Sequence, residues 1–272
     1  MNSKHILFIL VLLIICIVYK QYKLYSYFNH EIVEWTENDH VSHIVYTRYK
    51  EPDMSLLLSP LINKKNLHIF IYNKGDDIPS GIPDDAKNIK IINIPNLGWD
   101  AYAYLYHVIN NYDNLPDYIY SLHASAQYLS YKYIKCLNIL HSPVINSSNT
   151  DTDDIIYYYG DGVYPTDINF QLDAWGASFP LNNNNDVNNK FVISKIRPLS
   201  NWIKSKLGNI SSNILVNNSE LKANTHGMFK VHKSRILRYS ISFYQELLED
   251  ISVWQSEINH YLERSWYAFY SE

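Results

Sequence analysis

The chain has 272 residues, 47% of them hydrophobic, and a formal net charge of −4 from 23 basic and 27 acidic side chains. That length is ample for one sizeable core, and the scattered basic residues exclude the arginine-rich stripe expected of nucleic-acid binding. Of the 2 cysteines, Cys16 lies in an apolar run and Cys136 stands alone, which excludes a disulfide within the domain.

Residues 6–19 are an unbroken apolar run, flanked by Lys4 and His5 before it and by Lys20 and Lys23 after it. The run is shorter than the roughly 20 residues that cross a hydrocarbon core, yet no small-residue cleavage site follows. Tyrosines suited to the interface extend it instead. Residues 1–28 are therefore expected to form an uncleaved single-pass signal anchor, with residues 40–272 as one domain. The tiny N-terminal segment points to a cytoplasmic tail and a lumenal domain, so a membrane is the expected partner and nucleic acid is not. Sequons at Asn146, Asn209 and Asn217 would be open to glycosylation there, although a chain so rich in Asn produces about that many by chance.

Beyond the anchor, β-rich runs at 43–48 and 67–73 predict two strands, separated by a segment that holds Pro52 and Pro60. Residues 74–83 are dense in turn formers. A strand at 90–94 ends at Pro95, and Asn96 and Gly98 supply the turn that follows. Tyr104, Leu105, Val108, Ile109 and Tyr112 recur at three and four, predicting a helix over 101–112 that buries one face. Asp100 falls in its first turn, where an anion meets the positive helix end.

Pro116 stops that helix, and 118–122 predicts a strand of the same sheet, beside or near the one at 90–94. The resulting βαβ unit gathers Asn96, Gly98, Asp100 and His123 at one edge, where open α/β sheets bind ligands. A further strand is expected at 155–159, and helices at 131–141, 202–206, 233–251 and 256–270, with polar loops at 146–154 and 182–189. The fold class is α/β.

Each candidate has a plainer role beside the functional one. Asn96 and Gly98 suit a turn and a helix start, and Asp100 suits the helix dipole. His107 shares the core-facing side of its helix and reads as a hydrogen-bonded core histidine. His123, at a strand tip, opens onto the cleft. Glu257, Tyr261, Arg264 and Ser265 make one polar line along the last helix, and Arg264 is expected to pair with a carboxylate, Glu263 included. His226 suits a phosphate or acceptor contact, or simply the start of a strand.

Several motifs then occur in a fixed order: Tyr46-Thr47-Arg48-Tyr49, Ile71-Tyr72-Asn73-Lys74-Gly75, Pro95-Asn96-Leu97-Gly98-Trp99-Asp100, Gly227-Met228-Phe229 and Tyr261-Leu262-Glu263-Arg264-Ser265-Trp266. Together they resemble a eukaryotic and viral family of unknown function, the DUF3431 domain, from about residue 43 to 270. The layout of that family looks like that of GT-A glycosyltransferases. The turn-helix-strand block is also locally similar to the rhamnan-synthesis F group.

The resemblance implies a GT-A-like, Rossmann-type mixed sheet flanked by helices, and transfer of sugar from a nucleotide-sugar donor to a glycan acceptor. It also implies a divalent metal, Mn or Mg, bound with the donor. Asp100, His123 and Asp161 are the catalytic candidates it points to, with Asn96, Gly98, Arg48, His226, Glu263 and Arg264 contacting substrate. Two departures stand out. Trp99 and Asp100 replace the family's usual Arg-Glu, and Leu122-His123-Ala124 replaces its Leu-Gln-Gly.

A metal needs carboxylates at a strand end. Asp151-Thr152-Asp153 has the letters of an Asp-x-Asp but precedes its strand, whereas Asp161 follows the strand with a single carboxylate. Asp161 is therefore a weak metal candidate. The contrasting expectation is a catalytically inactive, glycosyltransferase-like binding or structural protein at a membrane. Asn96, Asp100, His123 and Asp161 lining one cleft is the geometry that separates the two.

Overall fold

A computed structural model of the chain describes residues 39–142, 158–160, 163–172, 192–208, 220–224, 226–253 and 256–270. The strands in chain order are β1 (Ser42–Arg48), β2 (Leu67–Asn73), β3 (Ile89–Asn93), β4 (Tyr118–His123), β5 (Tyr158–Gly160), β6 (Val163–Asp167), β7 (Glu220–Asn224) and β8 (Phe229–His232). The helices are α1 (Ser55–Leu58), α2 (Trp99–Asn110), α3 (Ser130–Leu140), α4 (Leu199–Leu207), α5 (Lys233–Ile236), α6 (Ile241–Asp250) and α7 (Glu257–Tyr270).

Six strands form one mixed sheet in the order β3-β2-β1-β4-β8-β5, while β6 and β7 pair separately. The ladders β1/β2, β1/β4 and β2/β3 are parallel, and β8 runs antiparallel to both β4 and β5. The chain builds outward from β1 to β3, then crosses back through α2 to place β4 on the other side of β1. The strand order thus reverses between β1 and β4, and such a switch point opens a crevice at the carboxyl ends of the strands. The strand at 90–94 and the strand at 118–122 do share the sheet, but β2 and β1 stand between them.

Alternation along the strands explains why helices cover both faces. Val45, Tyr72, Ile119 and Phe229 belong to one core cluster, packed with Tyr104, Leu105, Trp202, Leu247, Trp266 and other residues of α2, α4, α6 and α7. Their strand neighbours Ile44, Tyr46, Ile71, Tyr118 and Tyr120 belong to the opposite cluster, with Leu57 and Leu58 of α1 and Cys136 and Ile139 of α3. Burying each large apolar side chain contributes about 1.5–3 kcal/mol, so two closed layers hold the sheet edges that carry polar residues.

His107 is a core histidine. Its Nε2 lies 3.1 Å from His43 Nδ1, and its Nδ1 lies 2.9 Å from the Tyr72 hydroxyl. Burial, followed by the facing ring, holds His107 well below its ordinary pKa, and burial lowers His43 to about 4.

The expected helix at 233–251 is two helices, α5 and α6. The carbonyls at the break are taken by tertiary donors, Tyr244 Oη giving to Ile236 O at 2.8 Å and Tyr112 Oη to Tyr239 O at 2.5 Å. α4 starts earlier than expected, directly after Pro198. The anchor at 1–28, the sequons and Asp151, Asp153 and Asp161 lie outside the described residues. No described helix is long and apolar enough to cross a membrane.

Candidate functional site

The carboxyl edge of the sheet is shaped by the turn that starts α2. Gly98 has φ 56 and Trp99 has φ 45, so two successive residues are left-handed, and only the first is a glycine. A bulky residue held there costs on the order of 1–3 kcal/mol and needs support. Lys74, at the end of β2, provides it by donating from Nζ to the carbonyl oxygens of both Leu97 and Trp99. Burial lowers Lys74 to about 8, while Asp100 pulls it the other way.

The turn aims Asp100, in the first turn of α2, at His123 on the tip of β4. His123 Nε2 lies 2.9 Å from Asp100 Oδ2. Burial would raise the Asp100 carboxyl, but the charge of His123, with Lys74 and Lys132, outweighs it and holds Asp100 below the usual carboxylate range.

These two residues line a cavity of about 190 Å³. Helical spacing builds its walls. Asp100 and Tyr104 face it from α2, while Asn259, Glu263 and Trp266, at four and three, face it from α7. Ser121 and His123 alternate from the same face of β4, and Lys132 reaches in from α3. The Trp99 indole completes the aromatic wall, its ring 4.7 Å edge-on from His260.

The turn before β8 closes the far side, again with two left-handed residues, His226 at φ 60 and Gly227 at φ 65. The His226 backbone N–H donates to Glu263 Oε1 at 2.8 Å, which ties this turn to α7. Burial raises the Glu263 carboxyl above its ordinary range, against the pull of Arg264 and the His226 N–H. Burial lowers His226 to about 4, with Lys132 and Lys135 adding to it. The cavity therefore holds two carboxyl groups shifted in opposite directions, Asp100 downward and Glu263 upward.

Among the residues expected to form a site, Asp100, His123, His226 and Glu263 line this one cavity. Gly98 shapes the turn beneath it. Asn96 sits in that turn and does not line the cavity, and Asp161 falls outside the described residues.

Arg48 is enclosed and engaged elsewhere. Its guanidinium donates to Glu51 O at 2.8 Å and, at 2.6 Å each, to Asn73 Oδ1, Asp77 O and Asp77 Oδ2, pinning the turn after β2. Arg264 is also buried, donating to His260 O at 3.0 Å, with its guanidinium carbon 3.9 Å over the Phe170 ring. The Glu263 carboxylate lies 3.6 Å from its Nη1.

The polar line through Glu257 and Tyr261 faces a different partner. Glu257 is fully buried and accepts from the backbone N–H groups of Leu172 and Ser194, each at 2.8 Å, and from Tyr261 Oη at 3.1 Å. Arg197 Nε stands 3.1 Å from the same carboxylate. The row that meets the cavity is instead 259, 263 and 266. Asn259 and Lys132 were not foreseen. The helical spacing of Asn259 from Glu263 and Trp266 was the available signal.

Compared with protein-family profiles, curated proteins and solved structures, the chain gives no significant match.

Proposed function

We propose that this chain is a membrane-anchored, GT-A-like glycosyltransferase that moves a sugar from a nucleotide-sugar donor to a glycan acceptor. One observation carries the reading: a His123–Asp100 pair at the carboxyl edge of a switch-point sheet, facing Glu263 across an aromatic-walled cavity. The ordered resemblance to DUF3431, and residues 1–28 as an anchor, support it.

In this reading the nitrogen of His123 turned away from Asp100 takes the proton of the acceptor hydroxyl. The acceptor oxygen bonds to the anomeric carbon as the bond to the diphosphate breaks, and the nucleoside diphosphate leaves with the electron pair. Asp100 offsets the charge gained by His123. Lys132 and the positive end of α2 meet the charge of the leaving group. Among the described residues no three His, Cys, Asp or Glu side chains are grouped to hold a metal, so the implied Mn or Mg does not fit the described site. No step here is routed through one. Ligand pockets usually enclose roughly 300–1,000 Å³. A cavity of about 190 Å³ suits a single sugar ring, with the nucleotide lying along the open sheet edge.

The test is thermal unfolding of the full chain in detergent against a panel of sugar nucleotides, with and without manganese, followed by assay for released nucleoside diphosphate. Stabilisation by about 2.7 kcal/mol is expected from a donor at a hundredfold its Kd. No stabilisation by any donor overturns the reading. Stabilisation without release, with acceptor glycans present, makes the protein a carbohydrate-binding module instead.

A further inference from the structure

Eleven large hydrophobic side chains are exposed among the described residues, and five of them stand at the carboxyl edge of the sheet: Ile78 is 73% exposed, Tyr128 51%, Tyr131 50%, Tyr49 43% and Leu129 39%. They follow β2, β4 and β1, whose parallel ladders bring the three connections to one edge. Polar contacts draw them into one rim. Arg48 holds Asp77, the neighbour of Ile78, while Asp53 pairs with Ser80 and its carbonyl oxygen accepts from the Tyr128 hydroxyl at 3.0 Å. At the other end the Tyr131 ring lies 5.7 Å from that of His226, on the cavity wall.

A contiguous exposed apolar rim marks a contact surface. Sugar rings would stack on the tyrosines but gain little from Ile78 and Leu129, and a protein partner needs a continuous patch, which Asp53, Asp76 and Asp77 interrupt. A bilayer needs neither. Tyrosines, aliphatic tips and lysines are the composition of a membrane interface, where each side chain inserts by itself. Lys50, its Nζ 5.1 Å from the Tyr49 ring centre, and Lys132 suit lipid phosphates. Of the carboxylates nearby, Asp77 is paired with Arg48, Asp53 accepts from the Ser55 N–H, Glu51 accepts from the Tyr49 N–H, and Asp76 is exposed enough to stay in water.

The chain enters the sheet at the opposite, amino edge, which carries the polar depression of Asn63, Lys64, Asp85 and Lys87. Residues 29–38, between the expected anchor and the described domain, span at most about 35 Å. β1, with 7 residues, is roughly 23 Å long, so the tether reaches past the sheet.

We propose that this rim is a membrane-docking surface: the domain lies on the bilayer that holds residues 1–28, carboxyl edge down, with Ile78 and Leu129 entering the headgroup layer. The proposal rests on the anchor reading and not on transfer chemistry.

The experiment places a spin label on Ile78→Cys, Leu129→Cys or Lys64→Cys of the full chain in phosphatidylcholine vesicles, each in a Cys16→Ser background, since Cys136 is buried. Relative to a polar nickel chelate, oxygen is expected to collide with the first two labels severalfold more often than with the label at Lys64. Joint Ile78→Asp and Leu129→Asp substitution should keep the parent melting temperature and return a label on Tyr131→Cys to water. If the Ile78 and Leu129 labels read as water in a chain that floats with the vesicles, docking is overturned and the anchor reading stands. A chain that does not float overturns both. If the labels are shielded only as protein concentration rises, the rim pairs with a second copy and the proposal is overturned. It is overturned too if the Tyr131 label stays in lipid in the doubly substituted chain.

Discussion

Gly98→Ala isolates what the turn before α2 demands. At φ 56 an alanine is left-handed, which costs about 1–2 kcal/mol. Its Cβ would also stand 2.8 Å from Ile251 Cδ1 and 2.9 Å from Tyr102 Cβ. The isoleucine tip can turn aside, but the tyrosine Cβ is fixed to the helix, and such overpacking costs about 1–3 kcal/mol. Stiffening the unfolded chain returns about 0.4–1 kcal/mol, leaving a net loss of about 2–4 kcal/mol. For a chain this size that lowers the melting temperature by roughly 6–12 °C.

Gly208 supplies the control. It has φ 54 but ψ −128, a backbone that alanine resists more than that of Gly98, and among the described residues nothing lies within 4 Å of an added Cβ, so Gly208→Ala carries strain without crowding. A loss of about 1–3 kcal/mol is expected there, insensitive to Ile251→Val. Urea midpoints of both variants, with Ile251→Val added to Gly98→Ala, separate the two contributions. The added substitution should recover part of the loss, a coupling that distant sites do not show. No recovery on adding Ile251→Val would refute the crowding argument.

Acid should weaken the fold through the His43–His107 pair. Both rings have lowered native pKa values, so their stabilisation is complete above an unfolded value of about 6.5 and is lost as pH falls below it, towards about 4 for His43. Each ring contributes up to about 1.4 kcal/mol per pH unit. In urea melts at pH 7 and pH 5, His107→Gln should show a smaller acid loss than the parent, and an unchanged difference would count against the pair. Glu257→Gln sets an amide N–H2 against a backbone N–H and removes the charge that Glu257 presents to Arg197. A loss of about 3–5 kcal/mol is expected in thermal unfolding, and an unaltered midpoint would sink the clamp reading. Arg48→Lys keeps the charge but not the fork, so limited proteolysis should cut the turn around Asp77 faster. Cleavage at the parent rate would show that the guanidinium does not hold it.

The strands that β-rich and apolar runs picked out, β1, β2 and β4, emerge within a residue or two of expectation because strands covered on both faces read as short continuous runs. Asp100 and His123 were also legible as a pair at one edge, since a helix start and a strand tip in a βαβ unit have little choice of place. Of the far wall, His226 and Glu263 were named, but Asn259 was not. Glu257 and Asn259 are two positions apart on one helix, and which of them faces the cavity depends on the docking of α7, which no local pattern specifies. Arg48 illustrates the same limit. Its partner Asp77 belongs to a turn whose path is set by the guanidinium itself.

The two walls of the cavity are made at different times. β4 and α2 leave the ribosome well before α7, and at ~5–20 residues per second the delay is on the order of ten seconds. Throughout that interval the face of Tyr104 and His123 that α7 later covers is bare. Folding therefore passes through a stage in which the nascent sheet is sticky and the site is open. A chaperone holding that face would act on maturation rather than on the finished protein.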